Sequence, residues 1–261
     1  MAKDEERKRK LKENFTQQRG YWSDVWNGLL ERDPDFFEAY KNFSSVPWLR
    51  EGLEPKVREF LYIAIDASTT HLYDPGTKIH MMNAMKYGAT TDEILEVLEL
   101  TSVLGVHSCT MGVPILLEEL QAAGMDDVTN RPLTAKEITL KESFVAARGY
   151  WDEVWEGVLR LSPEYFEAYS EFSSVPWRTG TLEPKVKEFI YIAIDAATTH
   201  LYAPGTRIHI RNALKYGATA REIMEIFELI SVLGIHTITS SLPILEEVSA
   251  AHSKGTLQAN T

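Results

Sequence analysis

The residues best suited to chemistry are a glutamate and two histidines, Glu59, His71 and His80, and the same set returns as Glu188, His200 and His209. The stretches carrying them read EFLYIAIDASTTHLYDPGTKIHMMNAMKYG and EFIYIAIDAATTHLYAPGTRIHIRNALKYG, each with a Pro-Gly turn between its histidines. Imidazole titrates close to neutrality and a desolvated carboxylate can be brought there, so the three groups together suit proton transfer without any added group. Expected roles follow from this. His80 (His209) is the acid/base, Glu59 (Glu188) sets its proton, and His71 (His200) donates to a substrate carboxylate or developing oxyanion. Tyr73, Tyr87 and His107, with Tyr202, Tyr216 and His236, are expected to line the substrate. Asp66 and Asp195 are read as structural hydrogen-bonding groups.

The elements that must position these groups are helical. Matches recur at an offset of 129 without a gap, Tyr21-Trp22 with Tyr150-Trp151 and His107 with His236 among them. Roughly two thirds of aligned positions are identical, which marks an internal duplication. Two tandem repeats, 1–128 and 129–261, are expected, joined through the turn-rich Gly124–Pro132. Trp22, Val25, Trp26 and Leu29 recur at helical spacing, and Val57–Ala67 is apolar on nearly every side, the mark of a central helix. Asp33 and Ser162 before prolines, and Thr-x-x-Glu boxes at Thr90, Thr134 and Thr219, supply helix starts. Thr77 is read as the cap of the helix Lys78–Tyr87, on which His80, Ala84 and Tyr87 share one face. The Ser-Ser-Val-Pro-Trp segments at 44–48 and 173–177 are read as breaks, Gly105 as a close approach of another helix, Pro114 as a helix start, and Glu96 and Glu99 as surface residues. No strand alternation, glycine-rich phosphate loop or Gly-x-Ser-x-Gly occurs, so the fold class is all-α and nucleotide-dependent or serine-hydrolase chemistry has no support.

Net charge of −11 argues against nucleic acid as partner. Absence of a long apolar run and a charged N-terminus lead to the expectation of a cytoplasmic protein with no membrane partner. The one cysteine, Cys109, faces Ile238 in the other copy, which excludes disulfides and thiolate metal sites within a chain.

Glu54-Pro-Lys-Val-Arg-Glu59, the apolar helix, the T-K-I-H-M-M-N-A helix, Tyr-Gly-Ala-Thr and Thr-Asp-Glu-Ile-Leu-Glu-Val resemble the carboxymuconolactone decarboxylase family, which includes alkylhydroperoxidase D. The likeness covers about 53–120 and 182–244. It implies a helical bundle in each repeat, assembly into homo-oligomers (trimer favoured, dimer the alternative), and a small carboxylated lactone or related aromatic-catabolism intermediate as substrate. By family position Glu59 and Glu188 fall near the relay glutamate, and His80 and His209 on the histidine after the loop. Peroxidase members carry Cys-x-x-Cys in that loop, where this chain has His-Leu-Tyr-Asp-Pro-Gly-Thr, so dithiol chemistry is excluded. The expectation is a decarboxylase-like lyase needing no cofactor and no metal. Two alternatives stand beside it, a metal-binding His/Glu enzyme and a non-catalytic helical oligomer that binds a small molecule.

Overall fold

The computed structural model describes residues 2–125 and 127–254, and every element among them is helical. Repeat one contains α1 (Ala2–Arg19), α2 (Asn27–Arg32), α3 (Pro34–Ser45), α4 (Pro55–Ala67), α5 (Asp74–Lys86), α6 (Thr91–Ser102) and α7 (His107–Ala122). A single short turn, α8 (Asp127–Asn130), holds the expected repeat boundary, and Asp126 of that connection lies outside the described residues. Repeat two follows as α9 (Ala135–Arg148), α10 (Val154–Leu161), α11 (Pro163–Thr179), α12 (Pro184–Ala196), α13 (Ala203–Lys215), α14 (Ala220–Ile230) and α15 (His236–Ser253).

The helices α4 and α12, apolar on nearly every side over most of their length, lie against each other at the centre. Phe60, Leu61, Ile63 and Ala64, with Phe189, Ile190, Ile192 and Ala193, are fully buried there. Around this core each repeat lends its last helix to the other. Phe15, Trp26 and Phe37 of α1–α3 pack with Ile238 and Leu242 of α15, and Phe144, Trp155 and Phe166 pack with Cys109 and Val113 of α7. The glycines that permit close helix approach are Gly28 and Gly157, where an added Cβ would meet Leu242 at 3.1 Å and Val113 at 2.6 Å. Gly105 has open space around it instead and belongs to a 3₁₀ turn, Val103–Val106, that bends the chain between α6 and α7.

Buried charges tie the halves. Glu225 of α14 accepts from Arg58 Nε of α4 at 2.7 Å and from the Leu53 amide at 3.2 Å. Its counterpart Glu96 accepts from the Thr181 and Leu182 amides at 2.6 and 3.0 Å and pairs with Lys187 at 2.8 Å. Glu96 is therefore buried, against the expectation of a surface position, because its helix faces the other repeat rather than solvent.

The three capping boxes form as expected, and Asp33 caps α3 through the Phe36 amide, whereas Ser162 makes no side-chain cap. Pro47 ends α3 in a 3₁₀ turn, but Pro176 is carried inside α11, and Pro114 lies inside α7 rather than at its start. The segments Thr91–Ala122 and Ala220–Ser253 are long and apolar enough to cross a membrane by length and composition, contrary to the reading of the sequence. In the structure each is interrupted by a 3₁₀ turn, Val103–Val106 in the first and Ser231–Ile235 in the second.

Candidate active site

Each site is built on the crossing of a central helix and the helix after the loop. Glu59 sits on buried α4, one turn inside its proline start, and His80 sits on α5. His80 Nδ1 donates to Glu59 Oε2 at 2.6 Å, and His209 to Glu188 at 2.6 Å. That bond leaves Nε2 of each imidazole as the free working atom, which is the tautomer a carboxylate partner selects. Tyr62 stacks on His80 with centroids 4.4 Å apart and Tyr21 meets it edge-on at 6.4 Å, so the ring is fixed in orientation. Tyr191 holds His209 in the same way at 4.5 Å.

The loop begins earlier to be helix than its residues suggest. Pro75 sits in the first turn of α5, which starts at Asp74, and Thr77 bonds back to the Tyr73 carbonyl instead of capping. Leu72 and Leu201 both take a left-handed conformation (φ 53° and 54°), uncommon for leucine, while the Tyr73 amide donates to the Asp66 carbonyl at 2.8 Å. The strained turn brings His71 and Tyr73 to the other repeat. His71 Nε2 lies 2.8 Å from His236 Nδ1, Tyr73 stacks on His236 at 3.8 Å, and the Tyr73 hydroxyl meets Thr239 Oγ1 at 2.6 Å. The second copy repeats this with His200 and His107 at 2.6 Å and Tyr202 with Thr110 at 2.6 Å. His71 is thus brought to His236, not folded back over His80 as expected, and each site draws residues from both repeats. Burial pushes His71 and His200 down, and His236 and His107 down to about 3, with the facing histidines adding to the effect.

Asp66 lies between the two histidine sets, 3.9 Å from His80 Nε2 and 3.6 Å from His236 Nδ1, and is fully buried. It is not the structural hydrogen-bonding group expected of it, since neither carboxylate oxygen has a hydrogen-bond partner among the described residues. Burial pushes its pKa up to about 7, against the pull of His80, and Asp195 behaves alike. Gly76 is obligatory beneath it, because an added Cβ would come 2.0 Å from Asp66 Oδ2.

A cavity of about 40 Å³ opens on His80, lined also by Arg19, Tyr21, Tyr62, Tyr73 and His236. Tyr87 is not among its walls. It caps the end of α5 with its ring 41% exposed, since the helix stops at Lys86 before the shared face can continue. Tyr216 is likewise exposed. The residue that sequence reasoning missed is Arg19. Only 4% exposed, it donates to the Ser44 carbonyl at 3.0 Å, leaves its Nε without a partner, and forms no ion pair among the described residues. Arg148 does the same in repeat two, bonding the Ser173 carbonyl at 3.4 Å. The exact recurrence of an arginine three places before the Trp-rich helix start, Arg19 before Trp22 and Arg148 before Trp151, was the available signal.

The sequence profile of the carboxymuconolactone decarboxylase family matches residues 34–106 and 163–247, one segment in each repeat. The chain belongs to the carboxymuconolactone decarboxylase family. A crystal structure of a protein from Burkholderia xenovorans LB400, provisionally described as a gamma-carboxymuconolactone decarboxylase subunit, is similar with a TM-score of 0.90 and 47% identity. The match covers 94% of this chain and 98% of that one, so the tandem arrangement is shared. No curated protein matches. Within this carboxymuconolactone decarboxylase family chain the matched segments contain Glu59, His80, Glu188 and His209, while Arg19 and Arg148 precede them.

Proposed function

We propose that the chain is a decarboxylase-type lyase acting on a small carboxylated lactone or a related intermediate of aromatic catabolism, with acid/base work done by His80 and Glu59 and by His209 and Glu188. The observation that carries this reading is the His80–Glu59 pair, buried and clamped, facing a cavity shared with an unpaired arginine. Loss of CO2 breaks a carbon–carbon bond and leaves its electron pair delocalised onto the lactone carbonyl. The site then needs positive charge at that oxygen and a proton for the carbon. Arg19 suits the first need. Its charge is best spent on the oxygen where charge develops or on a carboxylate the substrate keeps, because held against the departing carboxylate it would stabilise the ground state. His80 Nε2 suits the second, with Glu59 stabilising the imidazolium before the proton is delivered. The cavity now has room for water only, so a ring must displace side chains to enter.

A panel of carboxylated five-membered lactones, followed by CO2 release, tests the proposal. Release with at least one of them, lost on His80→Ala/His209→Ala, is expected. A folded protein that releases none contradicts it. Following the family resemblance, we further propose that chains associate as trimers. Light scattering should return three chains, and a stable monomer would refute this.

A further inference from the structure

We propose that the protein holds two divalent first-row transition ions where the repeats pack together, one bound by Asp66, His71 and His236 and the other by Asp195, His200 and His107. The ligand atoms in each set lie within 4.8 Å of one another, a spread that a modest rotamer adjustment would gather around a single ion. Two imidazole nitrogens and one carboxylate oxygen are a donor set suited to zinc or iron, with positions left for water or substrate.

Two features point to a ligand rather than to packing. Asp66 is wholly buried with both oxygens lacking hydrogen bonds, an arrangement that costs stability unless something accepts their electron pairs. The backbone invests in this placement, through Gly76 beneath the carboxylate and the left-handed Leu72 that turns His71 inward. The arrangement recurs in the second copy, although His107 and His236 each reach the other repeat to complete it. The imidazole pairing at 2.8 Å satisfies one nitrogen of each ring but nothing of Asp66.

The sites depart from the expectation of a metal-free protein, and they do not rest on the proposed decarboxylation. His236 lines the same cavity as His80, so an ion there would polarise a bound carbonyl and leave the proton work to His80.

Chelator-treated full-length protein should be titrated with Zn²⁺ by calorimetry and with Co²⁺ by visible absorption. Two ions per chain are expected for the wild type, one for Asp66→Asn, and none for Asp66→Asn/Asp195→Asn. The stoichiometry should expose the shared construction. His236→Ala should remove the same ion as Asp66→Asn, so their combination still binds one, whereas Asp66→Asn with His107→Ala binds none. Each lost ligand should weaken its own site by more than the tenfold to hundredfold that an outer-shell change costs. Circular dichroism checks the fold of every variant; His71→Gln replaces a variant of the first site that does not fold, and His200→Gln one of the second. Absence of tight binding by folded wild type, or binding that is unchanged in Asp66→Asn/Asp195→Asn, overturns the proposal.

Discussion

The molecule keeps two kinds of buried carboxylate around its central helices, one reaching α4 and α12 from the flanking helices α14 and α6, the other carried on α4 and α12 themselves. Glu225 and Glu96 lie under the seam between the repeats and spend their oxygens on backbone amides and a facing cation. Asp66 and Asp195 lie at the C-terminal ends of α4 and α12, with no such partners for Asp66 and an unpartnered Oδ2 in Asp195. Burial alone therefore does not mark function. A buried carboxylate whose oxygens meet amides and a cation holds the structure together, whereas one left open suits a ligand that the protein alone does not supply.

The sharpest way to break this comparison is to empty a filled site. Glu225→Ala strands Arg58 without its carboxylate and should cost about 3–5 kcal/mol of stability, read from denaturant midpoints. A loss under about 1 kcal/mol would show that the seam charges are not what binds the repeats. Next in size, His80→Ala/His209→Ala should lower turnover of any accepted substrate by at least about a hundredfold while leaving helical content unchanged. Unfolding without a separable rate effect would make these histidines core residues.

A smaller effect sharpens the comparison through pH. Glu137, buried at the start of α9, accepts from both Arg131 nitrogens at 2.8 and 2.5 Å and from the Thr134 amide at 2.7 Å, and the arginine holds its pKa down to about 2. Because the folded value lies below the unfolded one, its contribution is complete above the ordinary carboxylate pKa and disappears as pH falls toward 2. Glu137→Gln should therefore flatten the acid side of the stability curve between about pH 4.5 and 2, with little change at lower pH. A variant curve parallel to wild type throughout would contradict the assignment.

Much of this was legible in the sequence. Duplication, the helical class, the capping boxes and the inward His80 beside Glu59 all follow from spacing and residue type, because each depends on neighbours within a few turns. What was not legible depends on the other repeat. Glu96 reads as a surface residue until α12 is laid against it, and His71 seems to belong with His80 until Leu72 turns it toward His236. Arg19 escaped for a different reason. It lies at the end of a highly charged helix, where an arginine is ordinarily a solvated residue, and only the packing of Phe15, Trp48 and Tyr62 about its guanidinium makes it a buried one.

Arg19 is also where the central claim, that an unfilled buried group is kept for a ligand, can be tested with least ambiguity. The measurement is thermal stability of Arg19→Met/Arg148→Met beside wild type, each with and without a small carboxylated lactone. If the arginines are reserved for a ligand, the variant is as stable as wild type or more so without ligand, since an unpaired buried charge is costly, and loses the ligand-dependent rise in Tm that wild type shows. If they are structural, the variant melts several degrees lower whether or not ligand is present, and the account is wrong.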